Sequence, residues 1–246
     1  MSAAVVVGPA RPAVSGGPLG PRGRTASGRG IAFFDVDETL ITAKSMFDFW
    51  AYWTSLGHGR DADTRPVRGD RVVRNRAHFR RYAGVPAAEL EAAGRRWYAA
   101  YRDGPAAFVP SAVEALRRHR DAGRPVVLVS GSMRALTEPV ARDLGADAVL
   151  CTELRVGADG LLTGEVEHPM IGGAKGAAAR ELIRGAGAAA ADCYGYGDHA
   201  SDLPLLRAVG HPAVVGGDPD LVDHALRAGW PRLPAGSGPR HFGQGD

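Results

Sequence analysis

The chain has 246 residues, 45% of them hydrophobic and 23% charged, with a formal net charge of +3. Such a composition suits one globular domain, or one domain carrying a smaller insert. A surplus of that size is too small to argue for nucleic acid by itself.

Only two cysteines occur, Cys151 and Cys193, each in or beside an apolar run. They read as buried thiols, too few for a disulfide framework or a cysteine-ligated zinc, and they point to a reducing cytoplasm. No apolar run approaches the roughly 18–20 residues of a membrane span.

Residues 1–28 are rich in Gly, Pro, Ala and Arg and contain too short an apolar stretch for a signal peptide. They read as a disordered leader, and residues 234–246 as a flexible tail. Between them, "GIAFFDV" (30–36) predicts a central strand of a parallel sheet, buried on both faces. "RPVVLVSGS" (124–132) has the same character; "ADCYGYGDH" (191–199) is a third case, weaker in hydrophobicity, and "HPAVVGG" (211–217) a fourth. The intervening "PSAVEALRRHRDAG", "MRALTEPVARDLGA" and "AKGAAARELIRGAG" predict helices that stop at glycine. Strands alternating with helices predict an α/β fold with a doubly wound, Rossmann-like parallel sheet.

Two segments interrupt the rhythm. Residues 45–105 are helix-like without a convincing strand, a candidate cap domain inserted after the first strand. The core domain is then expected over 29–44 and 106–233. In "TELRVGADGLLTGEVEH" (152–168), alternating runs flank Ala158-Asp159-Gly160, which predicts a hairpin.

Each predicted parallel strand ends in polar residues. The first ends in Asp35 and Asp37, the second in Ser130-Gly131-Ser132, and the third in Asp198, with Ser201 and Asp202 close behind. Lys175 opens the helix before the third strand. In an open α/β sheet, ligands bind beyond the carboxyl ends of the strands. Three gathered carboxylates repel one another and call for a cation. Oxygen ligands without a His/Cys set favour a hard ion such as Mg²⁺. A serine hydroxyl and a lysine ammonium are then free for phosphate oxygens. A carboxylate can attack phosphorus, and a second one two residues on can move the proton.

In that arrangement the chain resembles the haloacid dehalogenase superfamily. "DVDET" is similar to its first motif, Ser130 to its second, Lys175 to its third and "GDHASD" to its acidic fourth. An insert between the first two motifs makes it similar to members with a C1 cap, of the phosphoserine-phosphatase-like subfamily IB. The resemblance implies Asp35 as nucleophile and Mg²⁺ ligand. It implies Asp37 as general acid and base, with its backbone carbonyl on the metal, and Asp198 as a further ligand. Thr39, Ser130, Gly131 and Lys175 would serve the phosphoryl group, with Ser201 and Asp202 supporting from behind. Members that dehalogenate lack the second aspartate, so Asp37 points to phosphoryl transfer.

The chain departs from phosphoserine phosphatases at Lys44, where they carry a glutamate that grips the substrate's ammonium. A cation there argues for a neutral or additionally anionic substrate. Residues 60–102 hold eleven Arg against five acids. Arg71, Arg74 and Arg76 are candidates to face the cleft; the alternative is a solvated, Arg-rich helix face. Phe47, Phe49, Trp50, Tyr52 and Trp53 are expected to build mostly the cap's own core, with one or two on the substrate wall. His199 is a further candidate beside Asp198.

The expected activity is Mg²⁺-dependent hydrolysis of a phosphomonoester through an aspartyl-phosphate. Its partner would be a small phosphorylated metabolite, with or without a second anionic group, and neither nucleic acid nor a membrane. Transfer to an acceptor alcohol by the same intermediate, or anion binding by the basic insert without turnover, are the alternatives.

Overall fold

The computed structural model describes residues 30–59, 65 and 67–236. The expected leader lies outside the described residues, as do Arg60, Asp61, Asp63 and the expected tail from residue 237.

The first strand, β1 (Ala32–Phe34), is only three residues long and wholly buried. It runs parallel to β2 (Val126–Met133) on one side and to β5 (Tyr194–Gly197) on the other. Beyond β2 lie β3 (Ala148–Val156) and β4 (Leu162–His168); beyond β5 lie β6 (His211–Val215) and β7 (Arg232–Leu233). The sheet order is β4-β3-β2-β1-β5-β6-β7, parallel throughout except for β3 with β4. Strand order reverses at β1, the switch point where such sheets open a crevice at their carboxyl edge. The doubly wound α/β expectation is therefore met.

Alternation along β1 and β2 sends neighbouring side chains to opposite faces. Phe34, Val126 and Leu128 pack with α4 (Pro110–Asp121) and α5 (Arg134–Leu144). Phe33, Val127 and Val129 pack with α6 (Gly173–Gly185) and α7 (Leu203–Leu206). The last helix, α8 (Pro219–Ala228), covers β6 through Leu221 and Ala225.

Between β1 and α4 the chain forms α1 (Ser45–Ser55), α2 (Arg71–Arg80) and α3 (Ala87–Arg102). Phe49, Trp53, Phe79, Tyr82 and Trp97 are buried together, with ring centroids such as Phe49–Trp97 and Phe49–Tyr82 6.1 and 6.2 Å apart. Each such ring is worth roughly 2–3 kcal/mol of hydrophobic transfer. Phe47, by contrast, is 54% exposed. The same apolar cluster continues into the sheet face beneath, so the helical insert is packed on the core as well as on itself. Gly94 lets α3 approach α5, because a Cβ there would sit 2.1 Å from the Ala135 carbonyl oxygen.

The hairpin predicted over 152–168 is present, but its first strand begins at Ala148 and belongs to the main sheet. Its second half pairs with β4 and leans on the insert. Leu162 N–H donates to the Val85 carbonyl, Gly84 N–H to the Leu162 carbonyl, each at 2.8 Å, and the Arg76 guanidinium donates to the Val166 carbonyl at 2.9 Å. Cys151 and Cys193 are buried free thiols. Among the described residues no helix is long and apolar enough to cross a membrane.

Candidate active site

The turn after β1 builds the floor of the site. The Val36 carbonyl accepts from the N–H groups of Thr39, Leu40 and Ile41 at 3.3, 2.9 and 3.1 Å. That tight turn holds Glu38 at φ 57°, left-handed backbone that costs a non-glycine residue roughly 1 kcal/mol. Tyr101 of α3 pins its far side by accepting from Thr42 N–H and Ala43 N–H, both at 3.1 Å, while its hydroxyl donates to the Ala107 carbonyl. Asp35 is fixed by its own N–H, which donates to the Tyr196 carbonyl at 2.9 Å.

Lys175 stands in the first turn of α6, 4% exposed, and its Nζ donates at 2.6 Å to both Asp35 Oδ1 and Asp202 Oδ1. Gly176 makes this possible: α6 lies so close to α7 that a Cβ would come within 2.4 Å of the Pro204 oxygen. Burial alone would lower the Lys175 ammonium's affinity for its proton. The Asp202 and Asp35 carboxylates outweigh that, so the group stays charged. Asp202 also accepts from His199 N–H through Oδ2, at 3.3 Å. Both of its oxygens are thus engaged in holding the loop and the lysine.

Thr39 bridges the acids, its hydroxyl lying 3.5 Å from Asp35 Oδ2 and 3.3 Å from Asp198 Oδ1. Burial pushes the Asp35 carboxyl up, opposed by Lys175. Burial and the nearby Asp35 charge push Asp198 well above the ordinary carboxylate range. Asp37 is pushed to about 7 by burial and by Asp35, with Ser45 pulling the other way. Its Oδ1 is buried without a hydrogen-bond partner among the described residues.

At the end of β2, Ser130 is buried and its Oγ accepts from Ser132 N–H at 3.0 Å. With the acceptor role filled from the backbone, its proton is free for an anion. Ser132 in turn accepts from the Ser45 hydroxyl at 2.8 Å. The Gly131 carbonyl takes bonds from Thr152 Oγ1 and from Asn75 Nδ2, at 2.8 and 3.0 Å. The segment leads directly into the N-terminus of α5, whose backbone N–H groups and dipole favour negative charge.

The donor set fits a hard divalent cation. Asp35, Asp198 and Asp202 each offer an oxygen, all within 4.8 Å of one another, and one ammonium does not neutralise them together with Asp37.

The other candidates fall around the rim. Lys44 pairs with Glu38 at 3.3 Å, both partly exposed. Arg71 donates to the Ser201 hydroxyl at 2.9 Å, joining α2 to the loop that carries Asp198 and Asp202. Arg74 is on the exposed side of α2, and Arg76 is engaged by β4. His199 Nδ1 accepts from Ser201 N–H at 2.9 Å, and burial lowers its pKa. Sequence reasoning missed Asn75, Ser45 and His78. Asn75 carried one faint signal, an uncharged residue between two arginines four positions after Arg71.

A family profile for haloacid dehalogenase-like hydrolases matches residues 32–207. An "inhibition of morphological differentiation" protein of Streptomyces azureus is 44% identical over 122 residues, which cover 50% of this chain and 44% of that protein. The chain thus spans less than half the length of that relative. A probable phosphatase of Mycobacterium tuberculosis is 33% identical over 237 residues, 88% of this chain and 77% of its own. The crystal structure of a Bordetella pertussis protein of unknown function superposes with a TM-score of 0.70 at 26% identity, covering 84% of this chain and 98% of that one. The acid-lined edge of the sheet, the matched span and the mycobacterial relative agree: the chain belongs to the haloacid dehalogenase-like hydrolase family.

Proposed function

We propose that the chain is a phosphomonoester hydrolase that works through an aspartyl-phosphate with Mg²⁺ bound. The observation that carries this reading is the buried bridge from Lys175 to Asp35 and Asp202, set beside Asp37 at the carboxyl edge of β1. A related mycobacterial protein bears the name probable phosphatase, which supports the same class.

In this reading Ser130 and Lys175 hold the phosphoryl oxygens, the serine through the proton left free by its bond from Ser132. An Asp35 carboxylate oxygen attacks phosphorus as the ester oxygen departs. Asp37, near neutrality, gives that oxygen a proton, then takes one from the water that hydrolyses the aspartyl-phosphate. Asp35 and Asp198, with the Asp37 carbonyl, would hold Mg²⁺, and Asp202 would support the cluster through Lys175. When bound, the metal supplies positive charge to the gathered carboxylates and to the phosphoryl oxygens. Arg71 ties the insert to the core over this edge, an arrangement suited to excluding bulk water.

The test is phosphate release from a panel of phosphomonoesters with Mg²⁺ and with EDTA, using the wild-type chain and Asp35→Asn. Release that requires metal and disappears in the variant is expected. Product phosphate esters with little free phosphate would mean transfer instead. No release from any ester by a folded, Mg²⁺-loaded chain would overturn the reading.

A further inference from the structure

We propose that Asn75 and His78 of α2 read the leaving group of the substrate, and that this group is uncharged and rich in hydroxyls, as in a sugar or other polyol phosphate. The inference rests on the phosphatase reading and deepens it.

The two side chains are three residues apart and so share one face of the helix. They are 5% and 4% exposed. The Asn75 amide is oriented by its nitrogen, which donates to the Gly131 carbonyl at 3.0 Å and meets the Met46 sulfur at 3.4 Å. Its Oδ1 is buried with no hydrogen-bond partner among the described residues, and so are both ring nitrogens of His78. The Met46 backbone lies beside that ring, and its weak pull toward the protonated imidazole is outweighed by burial and Arg81. Buried polar atoms are rarely left this way, because each forfeits its bonds to water without replacement. Three of them on one helix face invite a ligand that supplies the missing partners.

Their place along the chain says which part of a ligand that is. Asp37, which would protonate the leaving oxygen, is flanked by Ser45. The next residue, Met46, touches Asn75, and the one after, Phe47, sets its ring edge-on to His78 at 5.6 Å. Asn75 also grips the carbonyl of Gly131, the neighbour of Ser130. A phosphoryl group held by Ser130 and Lys175 has the sheet beneath it, so its ester substituent must extend toward this face of α2.

The chemistry of the face excludes a charged group. Burial first, and Arg81 second, hold His78 neutral, and a neutral imidazole offers one donor and one acceptor. Asn75 Oδ1 adds an acceptor. Nearby cations are otherwise engaged, Lys44 by Glu38, Arg71 by Ser201 and Arg81 over the Trp50 ring at 5.2 Å. Hydroxyls, each donor and acceptor at once, match this set. The rings of Phe47 and Trp50, 5.6 and 6.1 Å from the imidazole, offer apolar surface for the C–H faces of such a group.

The experiment measures kcat/KM for phosphate release from a hexose phosphate, glycerol phosphate, phosphoserine, a sugar bisphosphate and phenyl phosphate. Wild type, Asn75→Ala and His78→Phe are compared. Wild type is expected to favour the hydroxylated monophosphates over phosphoserine and the bisphosphate. In His78→Phe the ratio of hexose phosphate to phenyl phosphate should fall by about 10- to 100-fold, mostly through KM, as expected when a site loses its partners for substrate hydroxyls. Its melting temperature should match or exceed that of wild type, since the substitution keeps a ring and removes unpaired polar atoms. Asn75→Ala should shift the ratio the same way. An unchanged ratio, with all esters reduced together or none, would overturn the proposal while leaving the phosphatase reading intact. So would a wild-type preference for phosphoserine or the bisphosphate. Absence of release from every ester, phenyl phosphate included, would overturn both.

Discussion

Replacing Lys175 with methionine probes the energetics on which the site depends. The ammonium is buried and makes two charge-assisted bonds of 2.6 Å, to Asp35 and Asp202. Methionine has nearly the same length, so the chief change is loss of the charge, leaving two buried carboxylates face to face without a cation. Bonds to charged groups are worth about 1.5–3 kcal/mol each, and breaking a buried ion pair by removing one partner costs about 3–5 kcal/mol. A loss of about 4 kcal/mol is expected at pH 8 in metal-free buffer. With a urea m-value of roughly 2–3 kcal/mol/M, the unfolding midpoint should drop by about 1.3–2 M. The loss should shrink at pH 5, because Asp35 and Asp198, already pushed upward by burial, take up protons in the variant. Saturating Mg²⁺ should recover part of it, by binding the folded acid cluster and not the unfolded chain. Phosphate release should fall by at least ~100-fold, the usual consequence of losing one charge-stabilising donor. A loss below about 1 kcal/mol at pH 8 without metal would refute the reasoning, for it would mean that the carboxylates are solvated.

Two other outcomes follow from local geometry. Gly176→Ala would place a Cβ 2.4 Å from the Pro204 oxygen, forcing α6 from α7. Overpacking of this kind costs about 1–3 kcal/mol, and moving Lys175 by even 1 Å should lower turnover by about 100-fold, read from urea melts and steady-state rates. His78 gives stability a pH dependence. Burial lowers its pKa to about 3 in the folded chain, while the unfolded chain binds the proton near 6.5. Between these values the unfolded state holds more protons, so stability declines as pH falls below 6.5. The contribution between pH 7 and pH 5 is roughly 2 kcal/mol. His78→Phe should flatten that part of the stability–pH curve; an unchanged slope would mean that the imidazole is not buried as described.

Much of the architecture was legible because its signals are local. The apolar runs around Phe33 and Val127 have no polar face, which only a strand covered on both sides tolerates. Acids directly after such runs, at Asp35 and Asp198, fall at the carboxyl edge by the arithmetic of strand ends. Less was legible where function depends on register between elements. The surplus of arginine in residues 60–102 was visible, but which faces of α2 meet solvent, β4 or the site depends on how the helix is rotated. Arg76 turns to the Val166 carbonyl, Arg74 to solvent, and the uncharged Asn75 between them reaches the Gly131 carbonyl. The hairpin over 152–168 was recognisable from its turn, yet nothing in its sequence tells that it buttresses the insert through Val85 and Arg76.

The sequence by itself determined the alternation of parallel strands and helices and the identity of the acids, hydroxyls and lysine at the strand ends, though it did not announce α7, α8 or β7. These follow from hydrophobic period and from residue chemistry, which are properties of short segments. Tertiary structure alone decided that one ammonium would serve both Asp35 and Asp202, 140 and 27 residues away. It also decided that Asn75 and His78 would be buried with polar atoms unpaired. Both outcomes depend on angstrom-scale approach between distant elements, set by contacts such as Gly176 on Pro204, and no local pattern encodes such distances.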